Sequence, residues 1–250
     1  KIGCYNCPQK HNLIDRSTRN YNLKRKYIGN CENLIITVVS DWVGNHVRQS
    51  FLKDKEIRVI PNGIDTQIYQ PTNALKVLKL LNIFDRLRDK FVIMGVSTQW
   101  KGGRKGLDDY KVMSKMLRSD EIIILVGVPE EIIAKLPENI IGIKRTNNQQ
   151  ELAALYSRAD VVTSLSSAET FGLTIIEGYA CGTPAVVYDN TAPPSLITPE
   201  TGLVAKNHDY KDAYAKIQQI KKMGKSYYSR ACIRLVQEKY DKEKCSAQYM

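Results

Sequence analysis

The chain has 250 residues, 43% of them apolar, and its 37 Lys and Arg against 26 Asp and Glu give a net charge of +11. That length and apolar content are enough for a sizeable core of one large domain or one and a half ordinary ones, which excludes a disordered chain. The apolar runs Leu34 to Val39, Phe91 to Val96 and Ile122 to Val126 fall far short of the ~20 residues a bilayer-spanning helix needs, so none of them is a transmembrane segment.

The sequence opens at Lys1 without an initiator Met or an apolar leader, which predicts a piece of a longer protein. Cys4 and Cys7 form one C-x2-C pair, either two incidental thiols or half of a zinc site whose other ligands lie elsewhere, since no second pair follows. Cys31, Cys181, Cys232 and Cys245 stand singly, which fits a reducing cytoplasm better than a disulfide framework. Lys24, Arg25 and Lys26 form a basic cluster. Leu34 to Val39 is a β-branched run that predicts a strand, and Ser40 before Asp41 predicts an N-cap for a helix reaching about Leu52. Ile57 to Ile60 is a second short strand. Pro61-Asn62-Gly63 then forces a turn, where one domain ends and the next begins.

Beyond the turn, Leu75 to Arg88 reads as one apolar-periodic helix. Strands are predicted at 90–95, 121–127, 140–143, 160–165, 185–188 and 202–204, with helices at 107–117, 149–159, 172–180 and 209–223 between them. Asp108-Asp109 at a helix start matches the helix dipole and is no metal site. Repeated β-α alternation with almost wholly apolar strands implies an α/β fold, a parallel sheet covered by helices on both faces. Ligands of such sheets sit at the carboxyl ends of the strands. Residues 211 to 250 hold ten Lys or Arg against four acids. No basic stretch is interleaved with stacking aromatics, so nucleic acid is not expected as a partner; an anionic membrane surface, phosphate-bearing substrates or a plain solvated face remain.

The most informative stretch is Ser166-Ser-Ala-Glu169-Thr-Phe-Gly172-Leu-Thr-Ile-Ile-Glu177-Gly-Tyr-Ala-Cys-Gly182-Thr-Pro184, joining a buried strand to a helix and the next strand. Glu169 lies in the loop and Glu177 one turn into the helix, so both carboxylates can face one cleft and hydrogen-bond vicinal hydroxyls. Unpaired N–H groups near Gly172 and Leu173 can cradle a phosphate between them. A second stretch, Gly95 to Gly106, is a Gly-rich loop after a strand and carries Lys101, Arg104 and Lys105 without the spacing of a Walker loop.

These residues resemble the retaining glycosyltransferases of family four, whose GT-B fold joins two Rossmann-like domains. Glu169 and Glu177 fit the family's Glu-x7-Glu signature, and Val59-Ile-Pro-Asn62-Gly63-Ile64-Asp65 resembles its interdomain segment. The resemblance implies that Glu169 holds donor-sugar hydroxyls and Glu177 the ribose. It implies that Gly172 and Leu173, flanked by Phe171 and Thr174, meet the diphosphate. Lys105 fits the family's diphosphate Lys, but the Arg expected five residues earlier falls on Trp100. Arg104 or Lys101 supplies that cation, or this branch dispenses with it. Lys144 and Arg145 neighbour the expected base-contacting segment 142–146.

The implied reaction is metal-independent transfer of a sugar, with retention, from a UDP- or GDP-sugar to a glycan or lipid-linked acceptor. It needs no cofactor. The resemblance also points to cell-surface polysaccharide synthesis in the cytoplasm, with peripheral contact at the inner membrane face. His11, His46 and His208 match no motif of the family. The implied domains are residues 1–62 as the tail of an acceptor-binding domain, 63–226 as the donor-binding domain, and 227–250 as helices crossing back and exposed here. An epimerase or phosphorylase on the same architecture, or a non-catalytic binding module, are the alternative readings.

Overall fold

The apolar runs become parallel strands in a computed structural model that describes residues 16–250, so Cys4, Cys7 and His11 lie outside the described residues. The chain divides into two compact units, residues 1–60 and 61–250, a cut two residues before the expected boundary.

In the first unit, α1 (Ser17–Ile28) precedes β1 (Ile35–Val38), α2 (Asp41–Arg48) and β2 (Glu56–Val59). The strands pair in parallel, Ile35 opposite Glu56 through Val38 opposite Val59. Ser40 caps α2 as expected, its Oγ accepting the Val43 N–H at 3.3 Å. The helix ends at Arg48 rather than near Leu52, in a run of turns. Val38 and Ile60 are the buried apolar side chains among this unit's described residues.

The second unit opens with α3 (Leu75–Leu80) and α4 (Phe84–Leu87), where one helix was expected. Asn82 breaks it by taking a left-handed φ of 55°, which a short amide side chain tolerates better than most. Then follow β3 (Phe91–Val96), α5 (Leu107–Met113), β4 (Glu121–Val126), the single-turn α6 (Glu130–Ile133), β5 (Ile140–Ile143), α7 (Gln149–Arg158), β6 (Val161–Ser164), α8 (Leu173–Ala180), β7 (Ala185–Tyr188), β8 (Gly202–Ala205), α9 (Tyr210–Met223), α10 (Lys225–Lys239) and α11 (Lys242–Ala247). The expected helix to residue 117 tightens after Met113 into a 3-10 turn, Ser114–Met116.

All strand pairs of the second sheet are parallel, in the order β5-β4-β3-β6-β7-β8. The sheet therefore grows one way from β3 and the other way from β6. Their adjacent carboxyl ends form the switch point, where α/β sheets open a crevice. Residues 227–250 are not an exposed tail: Tyr228, Cys232 and Val236 are buried, one turn apart along α10, as is Cys245 of α11. Further on, Ile64 N–H donates to the Tyr240 carbonyl and Lys242 N–H to the Ile64 carbonyl, both at 2.9 Å. This clip, with Thr66 Oγ1 donating to Asp241 at 2.6 Å, joins the two ends of the second unit.

Candidate active site

A cleft of about 680 Å³ opens at the switch point. Residues after β3 (Ser97, Thr98, Gln99), β5 (Arg145 to Gln149) and β6 (Glu169 to Thr174) line it, together with Glu177 and Asn62. Its size falls within the range of small-molecule sites, roughly 300–1,000 Å³.

Lys105 reaches this cleft because Gly106, at φ 72°, lets the start of α5 touch the end of β6. A Cβ there would lie 2.3 Å from the Leu165 carbonyl oxygen, so a larger residue would push Lys105 away. The Lys105 ammonium forms a half-buried ion pair with Glu169 Oε1, which also accepts from Ser166 Oγ at 3.1 Å. A cation and a carboxylate thus stand side by side at one end of the cleft, each with a face toward it.

The helix that carries Glu177 starts at Gly172, whose φ of 116° turns the chain sharply out of the loop. Among the described residues no side chain caps α8, so the first-turn N–H groups at Leu173 and Thr174 and the positive end of the dipole are open to an anion. Phe171, 4% exposed, meets the Tyr240 ring edge-on at 5.8 Å and anchors the turn. Glu177 follows one turn into α8, and the Tyr156 hydroxyl of α7 donates to its Oε2 at 2.7 Å. Burial pushes the Glu177 carboxyl above the usual range, against the pull of the Tyr156 and Tyr69 phenols. The two phenol rings stand edge-on, 6.3 Å apart.

The structure brings Lys105, Glu169, Phe171, Gly172, Leu173, Thr174, Glu177 and Arg145 to one cleft. It does not bring Arg104 or Lys144 there. The Arg104 side chain is exposed and away from the lining, and its contribution is a carbonyl that accepts the Ser167 N–H at 2.8 Å. Lys144 is turned outward into an ion pair with Glu130 at 2.8 Å, as Lys101 is with Glu131 at 2.6 Å. Trp100 is 2% exposed and donates its indole N–H to the Val126 carbonyl at 2.9 Å, so it is a core residue. Sequence reasoning missed Tyr69 and Tyr156, whose approach to Glu177 has no local signal. It also missed Asn147, Asn148 and Gln149 at the cleft, although Asn148-Gln-Gln-Glu151 has the spacing of a capping box. Indeed Asn148 Oδ1 accepts the Glu151 N–H at 2.8 Å.

A parallel α/β domain thus carries a cation, two carboxylates and an uncapped helix start together at its switch point. The family described as "Glycosyl transferases group 1" matches residues 69–231, and the chain belongs to that family. A probable sucrose-phosphate synthase of Thermosipho melanesiensis is 31% identical over 222 residues, covering 80% of this chain and 47% of that protein. The chain therefore spans about half the length of this curated relative. Among solved structures, a glycosyltransferase from Rickettsia africae superposes with a TM-score of 0.79 at 21% identity, over 99% of this chain and 67% of that one. An Anabaena protein solved with UDP-glucose gives 0.73 at 18% identity, over 92% and 66%. The fold is that of the GT-B glycosyltransferases.

Proposed function

We propose that the cleft binds a nucleoside-diphosphate sugar and that the protein transfers its glycosyl group to an acceptor hydroxyl with retention of configuration. The observation that carries this reading is the convergence of Lys105, Glu169, the α8 N-terminus and Glu177 on one cleft. Spaced along it, Glu177 meets ribose hydroxyls, the α8 N–H groups and Lys105 meet the diphosphate, and Glu169 meets the sugar. Breaking the anomeric C–O bond puts negative charge on the diphosphate, and oriented N–H groups and a cation stabilise that charge more in the transition state than in the ground state. Loss of one such group typically costs ~3 kcal/mol of barrier. In this reading the leaving group needs no metal. The UDP-glucose complex of the Anabaena relative supports a uridine nucleotide as the first donor to try.

The acceptor we propose is a glycan or lipid-linked hydroxyl in surface polysaccharide synthesis, reached at an anionic membrane face. The exposed Lys24, Arg25 and Lys26 on α1 support such contact, and co-sedimentation with phosphatidylserine but not phosphatidylcholine vesicles is its check. The donor site is tested by calorimetric titration with UDP, GDP, UDP-glucose and GDP-mannose, repeated on Glu177→Ala. Selective binding that the variant loses is the expected result. No binding of any of the four by folded protein would overturn the reading.

A further inference from the structure

The loop after β7 holds the loop that carries Glu169. Thr191 has a φ of 47°, a left-handed conformation that a β-branched side chain seldom takes and that its surroundings must enforce. The enforcing contacts run to Glu169. The Glu169 N–H donates to Thr191 Oγ1 at 3.0 Å, and the Ala192 N–H donates to the Glu169 carbonyl at 3.3 Å. In turn the Thr191 hydroxyl donates to Asn190 Oδ1 at 3.1 Å. Asn190 is fixed by its own amide, which donates to the Ser166 carbonyl at 2.8 Å and to Asn207 Oδ1 at 2.7 Å.

Both backbone polar groups of Glu169, and the carbonyl of Ser166 that opens its loop, are therefore bonded to three consecutive residues. None of those three lines the cleft. Glycine would take this φ freely; what threonine adds, against its own conformational preference, is a hydroxyl. That hydroxyl works in both directions, accepting from Glu169 and donating to Asn190.

We propose that Thr191 is a positioning residue for Glu169, its hydroxyl setting the backbone of that residue so that the carboxylate faces the sugar end of the donor, with Asn190 orienting the hydroxyl. The proposal rests on the donor reading above. Lys105 and Ser166 grip the same carboxylate at Oε1, so the side chain is held at one oxygen and the main chain at both its polar groups.

The test compares wild type, Thr191→Gly and Thr191→Ser in two measurements. The first is exchange of the Glu169 amide by NMR, which needs no ligand. Loss of one neutral hydrogen bond should speed it roughly five- to tenfold in the Gly variant, and the Ser variant should keep the wild-type rate. The second is calorimetry with UDP against UDP-glucose, and with GDP against GDP-mannose. The Gly variant should bind the bare nucleotide as wild type does and lose the extra affinity that the sugar confers, while Ser retains it. The melting temperature of the Gly variant should stay close to that of wild type, because relief of the backbone strain offsets the lost hydrogen bonds and the freer unfolded chain. An unchanged sugar increment in the Gly variant overturns the proposal, as does equal loss of bare nucleotide, which would mark a structural role. Wild-type protein that binds no nucleotide at all sinks the donor reading, and the exchange rates still decide whether Thr191 fastens Glu169.

Discussion

Glu177 is a half-buried carboxyl whose folded pKa is raised, chiefly by desolvation, with the Tyr156 and Tyr69 phenols opposing. Above the ordinary glutamate value the unfolded chain gives up this proton while the folded chain keeps it, so this group's contribution to stability falls as pH rises through that window. Glu177→Gln should remove the slope: the variant gains on wild type in melting temperature as pH rises, and parallel melting curves across pH would refute the assignment. Nucleotide binding should run the other way, strengthening as Glu177 ionises and becomes the better acceptor for hydroxyls. Tyr156→Phe removes a donor to a charged group, which is worth about 1.5–3 kcal/mol, and should move the midpoint of that binding transition to higher pH. Calorimetry across pH on both proteins reads this directly. The two glutamates were legible from the sequence because their spacing survives in one loop and one helix. Tyr156 and Tyr69 were not, because they reach Glu177 across 21 positions in one case and from a stretch of chain ahead of β3 in the other. Arg104 and Lys144 show the converse limit: a loop cation adjacent in sequence to a lining residue can itself stay off the lining, Arg104 exposed and Lys144 paired with Glu130.

At the scale of elements, a buried glutamate shows how α9 is fastened. Glu121, the first residue of β4, is 3% exposed. Its carboxylate accepts from Tyr214 at 2.6 Å, Lys221 at 2.7 Å, Gln218 at 2.8 Å and the Arg118 N–H at 2.9 Å. Tyr214, Gln218 and Lys221 lie four and then three residues apart, one face of α9. Burial raises the Glu121 pKa, but these donors outweigh it and hold the carboxyl below its ordinary value, the opposite of Glu177. The stability this gives is present above the unfolded value and is lost as pH falls through the folded one. Lys221→Met should cost about 2 kcal/mol near neutral pH, and the difference from wild type should shrink in acid as Glu121 protonates; a pH-independent difference in urea midpoints would contradict it. Sequence periodicity located α9 and the apolar strands, because continuous burial leaves a continuous apolar run. It did not show Glu121 as a buried carboxylate, since its side-chain donors come from 93 to 100 positions away. Nor did it show the break at Asn82, where the apolar period runs on through a residue whose backbone leaves the helix.

For the molecule as a whole, the two units differ in what they bury. The second has a six-stranded sheet whose interior strands β3 and β4 hold Val92, Ile93, Met94, Ile123, Ile124 and Leu125 at 0% exposure. The first has a two-stranded sheet, and among its described residues two apolar side chains are buried, while α1 buries none. A two-stranded sheet is marginal by itself in water, and burial of a whole aliphatic side chain contributes only about 1.5–3 kcal/mol, which two such residues cannot set against the ordering of some forty others. Unfolding should therefore be stepwise. Amides of Ile36 to Val38 and Ile57 to Val59 should exchange through local opening, orders of magnitude faster than those of β3, β4 and β6, which should require global unfolding. Hydrogen exchange read by mass spectrometry on the intact chain distinguishes the cases. Equal protection in both sheets would mean that the first unit draws stability from contacts beyond its own core. Among the described residues, those that line the cleft all belong to the second unit, so if the cleft is the donor site proposed above, nucleotide should slow exchange in β3, β4 and β6 and leave β1 and β2 as they were.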